Sequence, residues 1–166
     1  MKKFILAVLL SLVSVAATAA TTSVEVGYGV QPASKIYSAT ASYDNFALAV
    51  SRDTVSRAEL GYTLHISNFN NLFAVTGWVG EASDGILHTT YAVEPSVSYH
   101  LLPTLEVYGS YKYRNTLNAS VKDHTDTETL GVRYALFKGI GVGAKVFNEV
   151  GDTKEHGIVG TASLSF

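Results

Sequence analysis

Apolar and polar side chains alternate with a period of two down almost the whole chain. A strand sends successive side chains to opposite faces, so this alternation sets one face against an apolar phase and the other against a wet one. The last ten residues show it most simply. Ile158, Gly160, Ala162 and Leu164 are apolar or tiny, while Gly157, Thr161, Ser163 and Ser165 between them are small or polar. Nine earlier segments read the same way, each roughly 8–11 residues long. Tyr28 and Val30, Tyr37 and Tyr43, Leu60 and Tyr62, Val107 and Tyr111, and Leu130 and Val132 belong to their apolar faces. Each segment is rich in aromatic residues on one face only, which a sandwich buried on both faces does not require.

The connections alternate in length. Residues 44–45, 68–71, 102–104 and 137–139 read as tight turns. Residues 31–35, 53–57, 82–89, 115–126 and 151–155 read as longer, more polar links. The chain has no cysteine, so no disulfide holds it together, and a sheet closed on itself by backbone hydrogen bonds takes that role. The fold class expected is therefore all-β, a transmembrane antiparallel up-and-down β-barrel. Ten strands are expected, with eight as the alternative if one hairpin among the less regular second, third and fifth segments is a loop. Short turns mark the periplasmic end and longer loops the external end. Pro95 sits inside the sixth segment, where it cannot donate to the ladder, so a bulge or a missing hydrogen bond is expected there.

Met1-Lys2-Lys3, the apolar run from Phe4 to Ala16 and Ala17-Thr18-Ala19 have the pattern of a cleaved secretory signal peptide. Residues 1–19 are accordingly expected to be removed, leaving residues 20–166 as a single barrel domain. That removes two of the 12 basic residues and none of the 14 acids, which leaves a net charge of −4 and argues against nucleic acid as a partner.

Strand parity sends Glu25, Glu59, Glu94, Glu106, Lys112, Arg133, Lys145 and Glu149 into the lumen, with Thr63, His65, Ser96, His100 and Tyr108. Charge inside a membrane protein is costly unless it is paired or wet. Acids mostly from the first half thus face bases from the second, and a cross-lumen charge network that plugs the barrel is expected. Eight-stranded barrels are filled by their own side chains and open porins need about 16 strands, so ten lies nearer the filled end. A narrow charge-selective channel is the alternative. Two histidines without a third ligand make no metal site, and no metal or cofactor is expected.

Taken together, the leader pattern, the alternating segments, the turn asymmetry and the terminal Phe166 with Leu164 resemble the small outer-membrane barrel proteins of Gram-negative bacteria. That class includes OmpA-type and OmpX-type barrels and opacity-type porins. The resemblance implies an outer-membrane location, with outer-membrane lipid and lipopolysaccharide as surroundings. It also implies passage with periplasmic chaperones and insertion by the barrel-assembly machinery, for which Phe166 and Leu164 form the recognition signal. A structural or surface-interaction role is the function expected, with small solutes as partners only in the channel reading. The string His65-Ile66-Ser67-Asn68 is also similar to the catalytic segment of lipid A 3-O-deacylase barrels, which implies a lipid A hydrolase as a further alternative. Parity turns His65 and Ser67 inward, away from lipid, so no catalytic residue is assigned and the protein is expected not to be an enzyme.

Overall fold

A computed structural model describes residues 22–32, 34–66, 73–117, 124–151 and 154–166. The leader pattern of residues 1–19, the residues Ser67 and Asn68 and part of the expected 115–126 loop lie outside the described residues. The described chain forms β1 (Thr22–Val30), β2 (Lys35–Tyr43), β3 (Phe46–Arg52), β4 (Ser56–Ile66), β5 (Phe73–Ser83), β6 (Leu87–Leu102), β7 (Leu105–Leu117), β8 (His124–Phe137), β9 (Ile140–Val150) and β10 (Lys154–Ser165). Each strand pairs antiparallel with its sequence neighbours, and β1 pairs with β10 to close the barrel. Ten strands form, as expected, and the eight-strand alternative does not.

The barrel has no apolar core of the usual kind. Most of its apolar positions face outward and stand open: Tyr28 is 52% exposed, Leu60 52% and Leu130 59%. Inward positions are mostly polar or small, with Trp78, Tyr108, Phe147, Ile36 and Val159 as larger exceptions, and several of them are buried. An apolar surface wrapping the whole circumference is far larger than a water-soluble monomer displays, and lipid is the phase that suits it. Aromatic side chains meet across strands on this outer face. The Tyr28 and Tyr37 rings lie 5.4 Å apart on β1 and β2, and those of Phe46 and Tyr62 lie 5.0 Å apart on β3 and β4.

The strands run further than the alternation indicates. Arg57, Ala82, Leu87, Asn115, His124, Asp126 and Glu155, all expected in links, lie in strands. The described links at that end therefore shrink to residues 31–34, 53–55 and 84–86. The reason is physical. At this end outward positions such as Ser56, Asn115, Asp126 and Glu128 are polar too, so the apolar–polar contrast weakens while the backbone ladder continues, with Asn115 opposite His124 and Asp126 opposite Val150. The described links on which a surface role would rest are correspondingly short.

Pro95 leaves a gap rather than a bulge. Pairing of β6 with β7 lapses at Glu94 and Pro95 and resumes in the same register, from Val93 opposite Tyr113 to Ser96 opposite Ser110. The pairing of Pro95 with Val75 on β5 is kept. The register shifts instead between His100 and Leu102 and between Ala135 and Phe137, each beside a two-residue turn. The turns at 44–45 and 138–139 reverse the chain with Asp44 at φ 51° and Gly139 at φ 80°. An Asp tolerates that left-handed region better than most residues, and glycine occupies it freely.

This register gives a sharp contrast between neighbours on β8. Val132 faces lipid, and Val132→Arg is expected to cost about 2–4 kcal/mol near the midplane, read from the urea midpoint of protein folded into lipid vesicles. A midpoint equal to that of the wild type would mean that Val132 does not face lipid.

Candidate functional site in the lumen

The lumen is crossed by ion pairs in three levels. The middle level is the driest. Glu59 on β4 is 5% exposed. Lys112 Nζ on β7 donates to its Oε2 at 2.7 Å, while Arg114 Nε donates to Oε1 at 3.1 Å and Arg114 Nη2 to Oε2 at 3.2 Å. Two strands separate β4 from β7 in the sheet, so these pairs bridge the arc of the barrel interior from β4 to β7. Lys112 Nζ also lies 4.3 Å over the Trp78 ring, and Trp78 Nε1 donates to Glu94 Oε2 at 2.9 Å.

The level nearer the chain ends joins β1, β7, β8 and β9. Arg133 forks between two carboxylates, giving Nη1 to Glu106 at 2.7 Å and Nη2 to Glu25 at 3.0 Å. Lys145 reaches the other Glu25 oxygen at 3.7 Å. The Arg133 guanidinium stands 5.1 Å from the Tyr108 ring centre, and its side chain is 40% exposed, so this level is wetter than the middle one.

The third level lies toward the opposite end. Arg57 Nη1 donates to Asp53 at 2.9 Å, and Arg57 Nη2 reaches Glu149 at 3.5 Å. Thr127 donates to Glu149 at 3.2 Å, and the Gln31 amide donates to Glu155 at 2.7 Å. In the turn between β5 and β6 the Ile86 amide donates to Asp84, which lowers the pKa of that carboxyl from its ordinary value. Of these, Arg57, Asp84, Glu149 and Glu155 line a cavity of about 190 Å³ above the middle level.

The large lumen side chains find room because a glycine sits opposite each. Trp78 pairs with Gly61, Tyr108 with Gly131 and Phe147 with Gly157. A Cβ on Gly61 would stand 2.7 Å from Trp78 Cε3, and the other two glycines are as tightly covered by their rings. Small-against-large pairing of this sort fills a narrow barrel without forcing the strands apart.

Six of the eight lumen charges read from the sequence pair with one another: Glu25, Glu59, Glu106, Lys112, Arg133 and Lys145. Glu149 pairs with Arg57, and Glu94 takes its hydrogen bond from Trp78. Arg57, Arg114, Asp53 and Trp78 complete the network and were missed. Arg57 shares parity with Glu59, and Arg114 shares parity with Lys112, so extending the two strands by one step would have found them. Leu164 lies on the outer face between Val24 and Ile140, and Phe166 is exposed beyond β10. His65 lies opposite Ala74 and His100 opposite Glu106, both exposed. Among the described residues no group of three or more metal-ligating side chains converges.

No protein-family model matches the chain, and no curated protein sequence matches it. Solved structures do. NanC porin superposes with a TM-score of 0.51 at 9% identity, over 87% of this chain and 100% of that one. KdgM porin gives 0.50 at 12% identity, over 87% and 99%. The N-terminal β-barrel domain of Pseudomonas aeruginosa OprF gives 0.45 at 12% identity, over 89% and 98%. The likeness is one of fold: a closed antiparallel barrel of the outer-membrane kind.

The levels differ in what a substitution should do. Glu59→Leu strands two buried cations and is expected to cost roughly 3–5 kcal/mol. Lys145→Leu leaves Glu25 with Arg133 in a wetter level and is expected to cost under about 1 kcal/mol. The temperature at which the folded band disappears on a gel reads both, and equal losses would overturn this ranking.

Proposed function

We propose that the chain is an integral outer-membrane β-barrel of a Gram-negative bacterium whose lumen is closed by its own ion pairs. Its work is then done at the surfaces it presents to lipid, lipopolysaccharide and the outside, with no catalytic step of its own. The observation that carries this reading is the middle level. Glu59, Lys112, Arg114 and Trp78 meet inside the barrel, and Glu59 is almost wholly buried, which favours a lumen closed to ions at this level. The outward apolar belt supports the membrane location, as does the fold it shares with NanC and KdgM porins. Export with a cleaved leader, escort by periplasmic chaperones and insertion by the assembly machinery through Phe166 and Leu164 belong to the same proposal. For the hydrolase alternative, the lumen-facing register of His65 speaks against action on a lipid outside the barrel.

A narrow channel remains the second reading, favoured by the exposure of Arg133 and Lys145 below the middle level. Single-channel recording in a planar bilayer separates the two. Silence is expected from wild-type protein shown to be folded, and ohmic steps are expected once Glu59→Ala and Lys112→Ala are combined. Steady steps from the wild type would overturn the closed lumen and make its acids the selecting groups.

A further inference from the structure

We propose that the cavity above the middle level is a binding site for a small organic cation carrying a primary ammonium group. The inference holds whether or not the level beneath it conducts. The cavity measures about 190 Å³ and is lined by Arg57, Arg114, Asp84, Glu149, Glu155 and Thr90, among others. Cavities of roughly 150 Å³ accommodate a molecule the size of benzene, so a compact solute fits.

Charge decides what kind of solute. Both guanidiniums at the cavity are already engaged by acids, Arg57 by Asp53 and Arg114 by the Glu59 it shares with Lys112. Arg114 commits Nε and Nη2 to Glu59, and Arg57 commits Nη1 to Asp53. The three lining carboxylates are matched less well. Glu149 meets Arg57 only at 3.5 Å, and Glu155 is held by the neutral amide of Gln31. Asp84 is held by a backbone amide, with the His88 imidazole 3.7 Å away. Among the described residues the cavity therefore carries a surplus of negative charge. An anion would meet that surplus directly. A bare metal ion finds no converging set of three ligands among the described residues.

Thr90 is the independent observation. It is 1% exposed, it lines the cavity, and its Oγ1 has no hydrogen-bond partner among the described residues. Buried hydroxyls are nearly always bonded, so one left over in a cavity wall marks a place for a polar ligand atom. An ammonium group has three donors and no acceptor, which suits one hydroxyl oxygen and the neighbouring carboxylates.

The test is calorimetric titration of the folded barrel in detergent with butane-1,4-diamine, and with butane-1,4-diol as the uncharged match. Saturable heat is expected from the diamine alone, with affinity weakened at least tenfold by Glu155→Gln and by Thr90→Val. The heat-shifted gel band confirms that each variant is folded. Should Thr90→Val fail to fold, Asp84→Asn in the exposed turn takes its place and should also weaken binding. Absence of saturable heat, equal binding of the diol, or diamine affinity unchanged in these variants would overturn the site. So would loss of binding on Glu128→Gln, because Glu128 lies on the outer face of β8 and its involvement would move the cation outside the barrel.

Discussion

In a lipid phase, every backbone amide and carbonyl has to find its partner within the protein. For a sheet this means closure, and pairing of β1 with β10 supplies it. Once the ladder is closed, each side chain has only two directions, lipid or lumen. Apolar residues take the first, and polar residues have to satisfy one another in the second. The cross-lumen ion pairs are therefore a consequence of closure: charges that the sequence scatters over β1, β4, β7, β8 and β9 have nowhere else to meet.

Closure also sets how much can be placed inside. Ten strands enclose a narrow space, and Trp78, Tyr108 and Phe147 fit because each lies over a glycine on the adjoining strand. Filling is uneven along the axis. The level around Glu59 is dry, the level around Arg133 is wet, and the far end widens into the cavity beneath Asp84. The proposed plug and the proposed cation site are compatible, because the acids of the outer cavity and the bases Arg133 and Lys145 lie on opposite sides of the Glu59 level.

Legibility in the sequence varied with contrast. Strands such as β9 and β10 could be read residue by residue, since Val142, Ala144, Ile158 and Ala162 alternate with small or polar neighbours. Legibility failed where both faces turn polar. Arg57 and Arg114 lie on strand extensions whose outward neighbours, Ser56 and Asn115, look no more apolar than the inward ones. Trp78 was missed for the opposite reason: it is a large apolar ring, and parity sends it into a polar lumen where composition gives no cue for it. Pro95 announced a defect in the ladder, but whether as a gap or a bulge depended on how β7 runs beside it.

Alternation and the spacing of turns determined that this chain forms an antiparallel barrel, which face is apolar and most of the residues that enter the lumen, because a period of two is a local property of the backbone. Which lumen charges touch was decided only by the tertiary structure. Arg133 and Glu25 stand 108 positions apart, and Lys112 and Glu59 stand 53 apart. Their meeting depends on strand stagger, on the number of strands and on the glycines that let the rings lie flat. The outer cavity is likewise a product of closure, since Thr90 and Glu155 share its wall although they lie on β6 and β10.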